Sequence, residues 1–323
     1  MDRNLALESV RATEAAALSA WRQMGRGDEK AADQVAVDAM RCALNRLAIN
    51  GKVVIGEGER DQAPMLYIGE SVGQGGPGVD IALDPLEGTS ITAKGGQNAL
   101  SVIAMAESGG FLHAPDTYME KIAVGGHDLP DTLLIDLDDS VQANLTRVAE
   151  AKRIPIEALV VCTLDRPRHQ HLIDASRAVG ARVMLIPDGD VSAIISTAQS
   201  DSGIDVFMGT GGAPEGVIAA AALRCLGGQM QARLVIRNDD EAARAQKWGI
   251  TDFDKKYTLN ELASGDVLFA ATGVTDGTFL NGVKRQDRRV TTDSIVMRSK
   301  SKTVRRIQAD HSMDFKTQLG FVR

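Results

Sequence analysis

Asp84-Pro85-Leu86-Glu87-Gly88-Thr89 places two carboxylates and a hydroxyl within one short stretch. The apolar run Val79-Asp80-Ile81-Ala82-Leu83 before it reads as a buried strand, so the acids fall in a tight turn just past a strand end. Pro85 fixes its own φ and biases Asp84 toward extended geometry, while Gly88 lets the backbone fold back. Carboxylates this close repel unless a proton or a cation lies between them. Hard oxygen donors suit Mg²⁺ or Mn²⁺. The alternative is an ordinary acidic turn that caps the next helix.

Other residues have the types that such a site requires. Glu57 lies in Gly56-Glu57-Gly58-Glu59-Arg60-Asp61, after the strand Lys52-Val53-Val54-Ile55. No G-x-G-x-x-G follows, so a dinucleotide site has no support there. Asp33 extends the apolar stripe Val37, Met40, Leu44, Leu47 of a helix over 29–48, as a metal ligand or as a partner of the helix dipole. Glu215 falls in the first turn of an Ala-rich helix over 217–226, behind Gly209-Thr210-Gly211-Gly212-Ala213-Pro214. Such a helix start can hold a phosphate, or a carboxylate that meets one through a metal. Arg166 and Arg168 flank Pro167, which stiffens their spacing, and Arg suits bidentate phosphate binding. Asp188 and Asp190 bracket Gly189 and can accept hydrogen bonds from sugar hydroxyls. The sum is a site for a phosphorylated polyol, with metals at one end and arginines at the other.

The elements that must position these residues read as an α/β chain. Helices over 4–24 and 29–48 precede strands at 52–55, 79–83, 98–105 and 121–124, with Tyr118 in a loop. Ile154-Pro155 marks an expected boundary between lobes 1–155 and 156–323. After it, the strands Leu159–Cys162, Arg182–Ile186 and Ile204–Met208 alternate with helices, the pattern of a parallel sheet covered on both faces. Ligands of such sheets bind beyond the carboxyl ends of the strands. A further strand is expected at 267–273, and Arg298, Lys300, Lys302, Arg305 and Arg306 are expected on one solvated, extended edge. The 323 residues suffice for a large core, and the 44% hydrophobic and 24% charged content is ordinary for a globular protein. A net charge of -7 gives no support to a nucleic-acid role. Cys42, Cys162 and Cys225 are too far apart for a C-x-x-C pair and read as reduced, mostly buried residues. With no leader-like apolar run at the start and no stretch long enough to span a bilayer, the expectation is a soluble, cytoplasmic protein without membrane partners.

Several of these stretches together resemble the class II fructose-1,6-bisphosphatases. They are Gly56 to Asp61 with Ala63 to Glu70 after it, Asp84 to Thr89, Arg166-Pro167-Arg168-His169 and Gly211-Gly212-Ala213-Pro214-Glu215-Gly216. The Asp-Pro-x-x-Gly-Thr turn alone is shared with the lithium-sensitive phosphatases related to inositol monophosphatase. Those commonly carry Asp where Glu87 stands, which favours the class II branch. The resemblance implies a layered αβαβα sandwich of the sugar phosphatase type, a homo-oligomer (dimer or tetramer), and metal-dependent removal of the 1-phosphate of fructose 1,6-bisphosphate in gluconeogenesis. Action on sedoheptulose bisphosphate as well, or on an inositol phosphate, is the alternative. Carried over by motif, Asp33 and Glu57 would hold one Mg²⁺ or Mn²⁺, and Asp84, Glu87 and Glu215 a second. Glu87, Gly88 and Thr89 would touch the labile phosphate, with Thr89 catalytic. Tyr118, Arg166, Pro167, Arg168, Asp188, Gly189, Asp190 and Gly212 would bind the rest of the substrate. Arg166 stands where family members often have Lys, which keeps the charge.

Overall fold

The computed structural model describes residues 4–58, 65–126, 129–287 and 289–312. Glu59, Arg60, Asp61, Ala63 and Pro64 of the second acidic motif lie outside the described residues. The chain divides into two compact units, one built from residues 1–111 and 265–323 and the other from residues 112–264. Ile154-Pro155, the expected boundary, lies inside the second unit.

The first unit opens with α1 (Leu5–Trp21) and α2 (Glu29–Leu44), followed by β1 (Asn50–Ile55), β2 (Ser71–Val72), β3 (Gly78–Glu87), α3 (Thr89–Lys94) and β4 (Leu100–Glu107). Asp28 starts α2 by accepting the Ala31 N–H at 2.9 Å. Before it, the N–H groups of Gly25 and Gly27 donate to the carbonyls of Thr92 and Ala93, both at 2.9 Å, and so tie the interhelical loop to α3. The buried alanines of α1, Ala12, Ala16, Ala17 and Ala20, pack with Val37, Met40 and Leu44 of α2 over Ile81, Leu83, Ile103 and Met105 of the sheet. β1 and β3 run parallel, and β4 runs antiparallel to β3.

The second unit carries β5 (Tyr118–Gly125), α4 (Val141–Lys152), β6 (Val160–Leu164), α5 (Gln170–Ala178), β7 (Arg182–Ile186), α6 (Asp190–Ser196), β8 (Val206–Gly212), α7 (Ala213–Leu226), β9 (Gly228–Val235), α8 (Asp239–Lys247), β10 (Tyr257–Thr258) and α9 (Leu259–Leu262). Its six-stranded sheet has the order β10-β9-β5-β8-β6-β7. β6 is parallel to both β7 and β8, as the alternating pattern predicts, but β5 is antiparallel to β8 and β9. The sheet is therefore mixed. β7 is also less covered than expected, with Met184 and Leu185 exposed. Alternation along β5 divides its side chains: Ile122 and Val124 join Leu145 and Val148 of α4 in one apolar cluster, while Met119 and Lys121 point to Gly216 on α7.

The chain then returns to the first sheet as β11 (Val267–Gly273), β12 (Lys284–Gln286), β13 (Arg289–Arg298) and β14 (Thr303–Ser312). β11 pairs with β4, and β13 with β11, β12 and β14. The basic run at 298–306 is thus a hairpin rather than one extended edge. Lys300 and Lys302 sit in its exposed turn, and Arg298 instead pairs with Asp266 at 3.0 Å. Burial pushes the Cys162 thiol up to about 12. Both units join helices to a mixed sheet, the α/β layering expected. No helix among the described residues is long and apolar enough to cross a membrane.

Close packing at Gly125 gives a direct check of the second unit. A Cβ there would meet the Ala198 backbone at 2.3 Å. Gly125→Ala is expected to lower stability by about 1–3 kcal/mol, read as a shift in the urea midpoint.

Candidate active site

In the first unit, sheet register aligns the acids. Ile55 of β1 pairs with Ala82 of β3, so Glu57 and Asp84 each lie two residues further on, at the same end of two adjacent parallel strands. β3 does not stop at Leu83 as expected but continues to Glu87. Asp84 pairs with Val102 and Glu87 with Leu100, and the register shift between them makes the motif a bulge within a strand. Pro85 has no N–H to donate, and the Asp84 Oδ1 accepts the Leu86 N–H at 3.0 Å, which closes the bulge locally. Glu87 is buried and Asp84 half-buried. Gly88 then adopts φ +92° and is the N-cap of α3, so Thr89 is the first helical residue and its hydroxyl is not the cap. That leaves the acidic-turn reading without its capping bond. Asp33 is half-buried on α2, which packs against β3 and α3, and burial raises its pKa.

In the second unit the same device recurs. Leu164 of β6 pairs with Ile186 of β7, so Arg166 and Asp188 leave two parallel strands at the same level. Tyr118 pairs directly with Gly212 on one side and Val235 on the other, which brings β5, β8 and β9 to the same edge. Tyr118 begins β5 rather than lying in a loop. Pro167 opens a short 3-10 turn through His169. Buried His169 ties this turn down: its Nδ1 meets the Leu164 carbonyl at 2.8 Å and its Nε2 accepts the Thr210 N–H at 2.8 Å. This pair of bonds requires the neutral ring, and burial lowers its pKa. Arg168 donates twice to the Thr210 carbonyl, at 3.0 and 2.7 Å, with its guanidinium 5.1 Å from the Tyr118 ring centroid.

Gly189, at φ +91°, leads into α6, and Asp190 at its first position is buried. Gly212 is the N-cap of α7, and Glu215 lies in the first turn. The Glu215 carboxylate folds back so closely that a Cβ on Gly212 would meet its Oε2 at 1.8 Å. Among the described residues that oxygen is buried with no hydrogen-bond partner. Desolvation, then the nearby Asp190 charge, push the Glu215 pKa up to about 7 against the opposing pull of Lys121.

Two further residues stand at this edge. Arg237 follows β9 and lies 4.3 Å from the Tyr118 ring centroid, so the ring carries a guanidinium from each of two turns. No local motif marks it; only the pairing of β9 with β5 does. Lys121 is buried in β5, ion-paired with Asp190 and donating to the Gly212 carbonyl at 2.9 Å. A lysine followed by Ile122-Ala123-Val124 in an apolar strand was its visible signal.

Among the described residues no three Asp, Glu, His or Cys side chains form a ready cation cage. The donor chemistry nevertheless fits a hard divalent ion. Carboxylates are present at every expected position, and Glu215 holds a buried oxygen that no described residue satisfies.

Carboxylates at one set of strand ends and guanidinium groups at another are the equipment of a phosphoric monoester hydrolase. Residues 3–311 match the family described as bacterial fructose-1,6-bisphosphatase, glpX-encoded. The chain is 47% identical to fructose-1,6-bisphosphatase 1 class 2 of Escherichia coli K12 over 98% of its own length and 97% of the relative's. The class 2 enzymes of Escherichia coli O6:H1 and Shigella flexneri match to the same extent. The chain therefore belongs to the class 2 fructose-1,6-bisphosphatase family.

The raised pKa of Glu215 has a testable consequence. Its folded value lies above the ordinary 4.5, so the folded state binds the proton more readily and loses stability as pH rises toward 7. In chelator, the stability difference between Glu215→Gln and the parent is expected to move in favour of the variant from pH 5 to pH 8, read from urea midpoints. Parallel pH profiles would contradict the assignment.

Proposed function

We propose that this chain removes the 1-phosphate of fructose 1,6-bisphosphate, giving fructose 6-phosphate and phosphate, and does so with bound Mg²⁺ or Mn²⁺. The observation that carries the reading is that Glu57 and Asp84 each lie two residues past a paired position on two parallel strands, in a chain that matches this family from residue 3 to 311. Asp33 and Glu57 would hold one cation, and Asp84, Glu87 and Glu215 a second. Bound there, divalent cations supply charge that polarises the phosphoryl group and stabilises the entering and leaving oxygens.

The residues of the chain do the rest. Glu87, Gly88 and Thr89 receive the labile phosphate at the bulge and the start of α3. The Thr89 hydroxyl either orients an attacking water, whose oxygen bonds to phosphorus as the bond to the sugar oxygen breaks and whose proton goes to that leaving oxygen, or attacks phosphorus itself and gives its own proton to the leaving oxygen, after which water cleaves the phosphothreonine to phosphate and restores the hydroxyl. Arg166 and Arg168 meet the distal phosphate, with Pro167 setting their spacing. Tyr118, Asp188, Gly189, Asp190 and Gly212 orient the sugar. Support for this division is the common level of Arg166, Asp188, Tyr118 and Gly212 at one sheet edge. The chain also acts, in this reading, in the cytoplasm, in gluconeogenesis, as a homo-oligomer; the family resemblance supports those parts.

The test is phosphate release from a panel of sugar phosphates. Fructose 1,6-bisphosphate is expected to be hydrolysed with Mg²⁺ or Mn²⁺, to be inert in excess chelator, and to be hydrolysed again when the cation is restored. Full turnover in chelator would remove the metal from the reading. Thr89 is tested separately. Thr89→Ser is expected to keep substantial activity, and Thr89→Ala to lose at least about two orders of magnitude in kcat. Near-normal turnover of Thr89→Ala would retire its chemical role.

A further inference from the structure

We propose that Lys121 is a positioning residue of the sugar-binding edge: anchored on the Gly212 carbonyl, it holds the Asp190 carboxylate in one fixed arrangement. The proposal rests on the reading that Asp190 meets the substrate. Lys121 is fully buried, and its ion-pair partner Asp190 is nearly as buried. Placing an ammonium there is costly, and a packed Leu or Met would fill the same strand position without that cost. The charge must therefore be sought in what it holds. One partner starts α6 after β7 and the other ends β8, so a single ammonium joins two of the turns that carry candidate substrate residues.

The backbone around it is cut to fit. A Cβ on Gly211 would meet Asp190 Oδ2 at 2.3 Å and Lys121 Nζ at 3.1 Å, and one on Gly216 would meet Met119 Sδ at 2.6 Å and Lys121 Cδ at 3.2 Å. With its Oδ2 bound to Lys121, Asp190 has a fixed direction for Oδ1, which is left to accept from a sugar hydroxyl. A carboxylate held in this way is preorganised, so less ordering is needed when the sugar binds.

The experiment uses the full-length protein with fructose 6-phosphate as the probe, titrated by calorimetry, alongside steady-state kinetics on fructose 1,6-bisphosphate. Lys121→Met, Asp190→Asn, the double variant and Arg168→Ala are compared. Lys121→Met is expected to weaken fructose 6-phosphate binding by at least about tenfold, the scale of one charge-assisted hydrogen bond, and to raise KM more than it lowers kcat. The double variant is expected to bind no more weakly than Asp190→Asn alone, because Lys121 acts through Asp190. It also leaves no unpaired buried charge, so this comparison stands if Lys121→Met alone fails to fold. Binding within about twofold of the parent in Lys121→Met, or an additional loss in the double variant, would overturn the proposal. If Arg168→Ala weakens binding in that event, the fault lies with Lys121 alone. If Arg168→Ala and Asp190→Asn both bind as the parent does, the sugar-edge reading falls with it.

Discussion

A carboxylate withdrawn from water needs a counter-charge, and this requirement governs the candidate residues of the second unit. Asp190 meets it with Lys121, inside the protein. Glu215 does not: its Oε2 is buried without a hydrogen-bond partner among the described residues, and its pKa is pushed up to about 7. Two acids under the influence of the same lysine thus have different fates. One is fixed by a lysine, and the other keeps an oxygen that no described residue satisfies. A divalent cation bound by oxygen ligands would meet that need.

Parallel strands supply the precision. Residues that follow paired positions on parallel neighbours emerge at one level without any long-range contact to set them, as Glu57 and Asp84 do in the first unit and Arg166 and Asp188 in the second. Antiparallel pairing then adds Tyr118 opposite Gly212. Each turn is finished by local means: the Asp84 to Leu86 bond in the bulge, and the His169 bonds to Leu164 and Thr210. The chemistry sits on irregular backbone, but rigid strands aim it.

Much of this was legible in the sequence because the signals are local. The acids, the Arg-Pro-Arg turn and the glycines before Glu215 are contiguous motifs, and the α/β class follows from alternating apolar strands and helices. What escaped depends on pairing between distant segments. The return of 267–312 to the first sheet needs β11 to find β4, and no pattern within either strand announces that partner. The mixed character of the second sheet comes from β5, whose neighbours lie about a hundred residues further on; its own alternation is equally compatible with either direction. Arg237 reaches Tyr118 only because β9 adjoins β5. The strand that ends at Glu87 rather than Leu83 was hidden by Pro85, which reads as a strand breaker but is accommodated at a bulge.

Cation binding without turnover is the most direct test of the central claim that these carboxylates form a metal site. Calorimetric titration of the chelator-stripped parent with Mn²⁺ at pH 7 should show saturable binding with release of protons, since Glu215 must ionise fully to act as a ligand. Asp84→Asn and Glu215→Gln should each lower the affinity by at least about tenfold, the lower end of what losing even an outer-shell partner of a bound metal costs. Binding of equal strength in parent and both variants would contradict the account.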